Sequence, residues 1–169
     1  MSAIEPTSII SHWSHRSEGL QLSSNDFYTL IEDLIEAQHV EGIHIERVDF
    51  SEGGFFSPRR EYLQLRRRND VFHVCAAPFG TGFFVSSWLG KIESDFLAWL
   101  FSKPIVGPLT RYVLQPLTYY KIDTALMFQS LIQGAVTQAL DQLLKAKGLR
   151  TLTETERKPV MRDLFAKFS

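Results

Sequence analysis

The stretch from Arg59 to Gly90 constrains the fold more than any other part of this sequence. It holds three runs rich in β-branched and aromatic residues, which are typical of strands. Asn69-Asp70 separates the first two runs. The segment 78–82 (PFGTG) separates the last two, because its proline removes a ladder donor and its glycines permit positive φ. We therefore predict three consecutive antiparallel strands here.

Further strands are predicted before this meander. From Gly42 the sequence alternates with a period of two, which places Ile43 and Ile45 on one side and His44 and Glu46 on the other. The glycine-rich segment 51–54 ends that strand, and residues 9–21 predict an earlier one. The sheet is expected to contain four or five antiparallel strands.

An N-terminal helix is predicted to begin between Ser23 and Asp26, where a hydroxyl can cap a free N–H and an acidic group lies at the positive end of the helix. Apolar residues from Phe27 to Ile35 follow at i, i+3, i+4 spacing, so one stripe faces a core. The helix should end near His39.

The C-terminal part predicts the longest helix, which begins at Thr118 or Asp123 and keeps one apolar stripe through Ala146. Gly148 then supplies a left-handed stop. A capping-box pattern at 153–156 (TETE) predicts a final helix through Phe165, with a proline in its opening turn.

These elements predict an α+β fold in which an antiparallel sheet packs against the N-terminal helix and the long C-terminal helix. A chain of 169 residues corresponds to about one domain, so residues 1–169 are predicted to form a single domain. Thirteen phenylalanines and three tryptophans supply the apolar area for its core without a disulfide or a metal. Residues 94–117 are expected to add an apolar helical segment.

Charge is unevenly distributed along the chain, although the net charge is only −1. Residues 1–56 contain two basic and ten acidic groups, whereas residues 57–169 contain sixteen basic and nine acidic groups. One interpretation is that the two segments pack together and their charges alternate over the surface. The other is that one face is cationic and meets an acidic partner. A pI near 6.5 does not favour nucleic acid as that partner.

The cationic candidate is a row on the first strand of the meander, where arginines and Tyr62 alternate from Arg60 to Arg68. Guanidinium groups match phosphate oxygens with two parallel hydrogen bonds. The predicted anion-binding residues are Arg59, Arg60, Arg66 and Arg68. The alternative is a solvated sheet face without a ligand.

A second candidate surface is the apolar segment 96–117, which carries basic residues at its rim. Apolar helices with aromatic and basic rims suit a membrane interface or a partner groove. The predicted contact residues are Phe96, Trp99, Leu100 and Tyr112. Two prolines break the segment too much for it to span a bilayer alone, and the alternative is that it packs as core.

His73 and Cys75 lie two apart on a predicted strand and could share one face, with His44 as a third ligand from a neighbouring strand. Four ligands define a structural zinc site, and the apolar neighbours of Cys75 keep a thiol inert. We therefore predict no metal site and no catalytic residue, and the single cysteine excludes an internal disulfide. No phosphate-binding loop or dinucleotide motif is present, so no cofactor is expected.

The sequence thus predicts a non-enzymatic binding or interaction module, with an anionic lipid surface or a protein as its partner. A first alternative is a small enzyme that acts on a phosphorylated or nucleotide-like ligand, and a second is a subunit of a homo- or hetero-oligomer. The N-terminus lacks the basic start and apolar run of a signal peptide. A cytoplasmic location, with or without attachment to a membrane surface, is the expectation.

Overall fold

The computed structural model describes residues 4–51, 59–92 and 119–161. In sequence order, their elements are β1 Ser8–Glu18, α1 Ser24–Glu36, β2 His44–Ser51, β3 Arg59–Arg67, β4 Asp70–Phe79, β5 Gly82–Lys91, α2 Tyr119–Ala146 and β6 Val160–Met161. All strand pairs are antiparallel and form one sheet. The predicted α+β class is confirmed, although the described part contains six strands rather than four or five.

The sheet has the strand order β2-β3-β4-β5-β1-β6. Strands β2 to β5 form the predicted meander, and β1 returns to pair with β5. The turn between β3 and β4 is formed by Arg68 and Asn69, one residue earlier than the sequence suggested, and Arg68 adopts a positive φ of 55°. The helical layer lies against one side of this sheet.

Helix α1 begins as predicted, with the Ser23 hydroxyl accepting a hydrogen bond from the Asn25 N–H at 3.2 Å. Its buried stripe contains Phe27, Tyr28, Ile31 and Ile35. The helix ends at Glu36, and the chain then turns through His39, which has a positive φ of 52°.

Helix α2 is the long predicted helix, and its C-terminal stop is a Schellman motif. The Gly148 N–H donates to the Lys145 carbonyl and the Leu149 N–H donates to the Leu144 carbonyl, at 3.0 and 2.8 Å. Gly148 has a φ of +67°, which a residue with a Cβ rarely adopts.

The predicted final helix from residue 153 through Phe165 is wrong over residues 153–161. The capping box does form, because Glu156 accepts from both the N–H and the hydroxyl of Thr153. Only one turn follows, since Pro159 lacks an N–H and disfavours a helical residue before it. The chain extends instead, and β6 pairs with Ser11 and His12 of β1. Residues 162–165 lie outside the described residues.

The core lies between the sheet and the two helices. Phe27 of α1 meets Phe83 of β5 edge-to-face at 5.6 Å between ring centroids, and Phe128 of α2 meets Phe72 of β4 at 6.3 Å. All four rings are buried. Edge-to-face aromatic pairs add about 0.5–1.5 kcal/mol to the burial of their area, so these contacts hold both helices on the same side of the sheet.

Tyr28 joins α1 to two strands at the point where their ladder ends. Its side chain is fully buried, and its hydroxyl donates to the Glu61 carbonyl at 2.8 Å and accepts from the Ala76 N–H at 2.9 Å. The pairing of Tyr62 with Cys75 places Glu61 opposite Ala76 in the register. The hydroxyl therefore takes the place of a hydrogen bond between β3 and β4.

We expect Tyr28→Phe to lower the free energy of unfolding by about 2 kcal/mol, because a partly buried carbonyl and a buried N–H both lose their partner. Urea unfolding followed by circular dichroism measures this change. The matched control is Tyr119→Phe, since Tyr119 is 85% exposed and its replacement should change the value by less than about 0.5 kcal/mol. Equal effects of the two variants would refute the bridging role.

Candidate functional site: the outer face of the sheet

The sheet has a second side, which faces away from α1 and α2 and which we call the outer face. The alternation of side chains along each strand assigns the residues to it. They are His44, Glu46, Val48 and Phe50 of β2; Arg60, Tyr62, Gln64 and Arg66 of β3; Val71, His73, Cys75, Ala77 and Phe79 of β4; Phe84, Ser86 and Trp88 of β5; and His12, Ser14, Arg16 and Glu18 of β1.

A polar row crosses the middle of the outer face. The register aligns Glu46, Gln64, His73, Trp88 and His12 on five neighbouring strands. Gln64 donates through Nε2 to Glu46, and its Oε1 lies 2.9 Å from His73 Nε2. The Trp88 and His12 rings stack at 5.1 Å between centroids. Side chains that are distant in sequence thus lie in one row across the sheet.

The chain preceding β1 also reaches this row. The Ile4 N–H donates to Gln64 Oε1 at 2.9 Å, and the Thr7 N–H donates to the Lys91 carbonyl at 2.8 Å. Pro6 packs against Gly90 between these two bonds, at a position where a Cβ would collide with the proline ring. The segment 4–7 therefore lies across part of the outer face.

His73 is a neutral residue inside this row. Burial lowers the pKa of His73 to about 4, so the imidazole carries no charge near neutral pH. Because Gln64 Oε1 can only accept, the His73 Nε2 carries the proton and donates it to that oxygen. The rings of Phe50 and Tyr62 meet the imidazole edge-to-face at 5.0 and 6.5 Å.

Cys75 lies in the next row, opposite Tyr62 and Ser86. Burial raises the pKa of the Cys75 thiol, although the neighbouring Arg60 and Tyr62 favour the thiolate. His44 pairs with Arg66 and so belongs to a different row from His73. Over residues 4–51, 59–92 and 119–161, no three histidine, cysteine, aspartate or glutamate side chains converge on a metal position.

The predicted anion-binding arginines occupy three kinds of position. Arg60 and Arg66 are exposed residues of the outer face. Arg68 is exposed in the turn after β3, and Arg59 begins that strand opposite Ser51. Arg60 and Arg66 are six positions apart on the strand, which is about 20 Å at 3.3 Å per residue. This separation places the two arginines near opposite ends of β3.

Sequence reasoning missed three members of this surface. Arg16 of β1 has its guanidinium carbon 6.0 Å from the centroid of the Phe79 ring and forms an ion pair with Glu18 at 3.0 Å. Phe79 is 67% exposed and Trp88 is 39% exposed. The period of two along each strand indicates which side of the sheet these residues occupy, but only the strand order places them on the same face as Arg60.

The outer face therefore combines exposed cations with exposed aromatic rings. Arg16, Arg60 and Arg66 share this face with two exposed aromatic side chains, Phe79 and Trp88. Two acidic residues, Glu18 and Glu46, share this face, and Glu46 is half-buried and bonded to Gln64. Among the described side chains the cations thus outnumber the acids on this face.

The predicted contact residues Phe96, Trp99, Leu100 and Tyr112 lie outside the described residues. Neither α1 nor α2 is long and apolar enough to cross a membrane.

No protein-family model matches this chain, and no curated protein matches it. Among solved structures it is similar to the di-domain ARO/CYC StfQ from the steffimycin biosynthetic pathway, with a TM-score of 0.30 and 12% sequence identity. The match covers 82% of this chain and 50% of that chain, so the protein spans about half the length of StfQ. At this TM-score and identity the similarity assigns neither a family nor a function.

Proposed function

We propose that this protein is a non-enzymatic binding module that attaches to an anionic lipid surface through the outer face of its sheet. The observation that carries the proposal is the presence of Arg16, Arg60 and Arg66 on the same face as the exposed rings of Trp88 and Phe79. Cations attract anionic headgroups, while tryptophan favours the boundary between headgroups and acyl chains.

The spacing of the arginines favours a surface over a single small anion. Arg60 and Arg66 are about 20 Å apart along β3, and β1 with Arg16 is three strands away from β3, which is about 14 Å. Groups at these distances meet several separate charges at once. A membrane presents such charges in a plane, whereas a phosphorylated metabolite presents them at one point.

The same spacing disfavours the alternative of a small enzyme with these arginines as a clamp for one phosphate. Such a site needs the guanidinium groups to converge on a concave pocket. Arg60 and Arg66 lie about 20 Å apart along an extended strand instead. The apolar segment 94–117, with Phe96, Trp99, Leu100 and Tyr112, belongs to the lipid-binding proposal as a second contact predicted from the sequence.

We expect the protein to co-sediment with vesicles that contain phosphatidylserine and to bind vesicles of pure phosphatidylcholine much more weakly. Each arginine near an anionic surface contributes about 1 kcal/mol, so three together favour the anionic vesicles by about 100-fold. Raising the ionic strength from about 0.01 to about 1 M shortens the Debye length from about 30 to about 3 Å and should release the protein.

The partition coefficient at both salt concentrations, measured by sedimentation, tests this expectation. Equal binding to the two lipid compositions, or binding that salt does not weaken, would contradict an electrostatic attachment. Failure to sediment with either type of vesicle would reject the lipid proposal altogether.

A further inference from the structure

Helix α2 has a row of exposed residues that carries no charge. The members of this row are four positions apart, so they follow one side of the helix; they are Leu126, Ser130, Gly134, Gln138 and Gln142. Met127, which lies beside the row, is 68% exposed. Residues 124–144 of α2, all of which the structure describes, contain one charged side chain, Asp141, and that side chain is buried.

The solvent side of α1 has a different composition. Asp26, Asp33 and Glu36 are exposed there, as is usual for a helix that faces water. Helix α2 instead exposes a row about five turns long without a charged group. Depletion of charged residues is typical of the centre of a protein–protein interface. The exposed side of α2 therefore has the composition of a surface that another protein covers.

Gly134 is the midpoint of this row, eight residues from each end. It lies inside a regular helix, where glycine is less favourable than alanine. In the part of the chain that the structure describes, a Cβ at Gly134 would meet no side chain and no other element within 4 Å. The packing of a single chain thus does not require a glycine at this position. Close approach of a second helix does favour one, because the side chains at the contact set the distance between two helices.

The first exposed charges beyond the two ends of the row have opposite signs. Asp123 precedes the row and Lys145 follows it, and each is eleven residues from Gly134. A second α2 that runs antiparallel and crosses at Gly134 places Asp123 of each copy opposite Lys145 of the other. A parallel second copy would place like charges opposite each other. Charge complementarity therefore favours an antiparallel second copy of this chain as the partner.

We propose that two copies of this protein associate through their α2 helices, which cross antiparallel at Gly134. Leu126 and Met127 of each copy then lie against the C-terminal half of the other row, where their apolar area is removed from water. The outer face of each copy stays free, because α2 lies on the other side of the sheet. A contact of one helix from each copy is smaller than a standard interface, so we expect a Kd of about 10–100 µM.

Sedimentation equilibrium of the whole chain, at concentrations from about 1 to about 500 µM, measures this association without lipid. The average mass should rise with concentration from 19.4 kDa towards twice that value. A mass that stays at 19.4 kDa over the whole range would overturn the proposal.

Gly134→Arg separates association from folding. In a single chain the new side chain extends into open space, and arginine favours a helix more than glycine does, so Tm should rise by about 2–4 °C. In the dimer the substitution places two cations at the crossing point, so association should weaken by at least about 100-fold. The matched control is Gln38→Arg, which adds the same charge at an exposed position after α1 and should associate like the wild type.

Charge reversal tests the antiparallel orientation. Asp123→Lys alone brings like charges together at both ends of the contact, and we expect it to weaken association by about tenfold. Adding Lys145→Asp to the same chain restores opposite charges at both ends and should recover most of the affinity. In a parallel pair each position would face its own copy, so neither substitution would change whether the facing charges are alike.

Equal association of the wild type and Gly134→Arg would overturn the proposal, because the contact would then lie elsewhere. A lower Tm for Gly134→Arg would also overturn it, since this side of α2 would then be covered within one chain. Failure of Lys145→Asp to recover the affinity lost in Asp123→Lys would refute the antiparallel crossing. These measurements use no vesicles, so their outcome is independent of the lipid proposal.

Discussion

Replacing Asp141 with alanine is expected to lower the free energy of unfolding by about 3 kcal/mol, the largest effect that we predict for a single side chain. Asp141 lies in α2 with only 11% of its side chain exposed, and it pairs with Arg157. Its other oxygen accepts from the Leu152 N–H at 3.0 Å. The carboxylate therefore fastens the chain after α2 to the helix, and its removal leaves Arg157 without its counter-ion and the Leu152 N–H without its acceptor.

Two companion variants show whether the charge pair has this role. Asp141→Asn keeps an acceptor for Leu152 but loses the ion pair, so we expect a smaller loss of about 1–2 kcal/mol. Glu154→Ala removes an exposed acid from the adjacent turn and should change the free energy of unfolding by less than about 0.5 kcal/mol. Urea unfolding provides all three values. A loss below about 1 kcal/mol for Asp141→Ala would show that Asp141 does not anchor this segment.

The second large effect is a loss of stability in acid that depends on His73. Its pKa in the folded protein is about 4, compared with 6.5 in the unfolded chain. Between these two values the unfolded chain binds a proton that the folded protein does not bind, so stability falls as the pH falls from 6.5 towards 4. Lowering the pH from about 7.5 to about 4.5 should remove about 2–3 kcal/mol through this residue.

The difference between the wild type and His73→Gln isolates that contribution, because other titrating groups affect both proteins equally. Over the same pH interval, we expect the free energy of unfolding of His73→Gln to fall by about 2–3 kcal/mol less than that of the wild type. His44→Gln, at an exposed position, should retain the wild-type slope. Parallel pH profiles for the wild type and His73→Gln would show that the buried imidazole does not resist protonation.

Local patterns were enough to predict most elements of this fold. The period of two predicted the strands of the meander. The apolar stripe predicted α2, and Gly148 predicted where that helix ends. The prediction of a final helix was wrong because a capping box specifies only the first turn of a helix. Pro159 prevents the helix from continuing after that turn. Strand β6 contains two residues, too few to show a period.

The candidate sites depend on strand order, which a single sequence does not contain. The alternation along β3 predicted that Arg60 and Arg66 share one face, but Arg16 joins them only because β1 pairs with β5. The role of Tyr28 as a bridge between β3 and β4 has no sequence signal beyond an apolar helical stripe.

The partition of matched charge variants onto phosphatidylserine vesicles tests the proposed function most directly. Arg60→Gln with Arg66→Gln removes two cations from the outer face, whereas Lys145→Gln with Lys147→Gln removes two exposed cations from the end of α2 and the residues that follow it. At about 1 kcal/mol per cation we expect the first pair to weaken binding about 30-fold and the second pair less than about threefold. Equal losses for the two pairs would contradict attachment through the outer face.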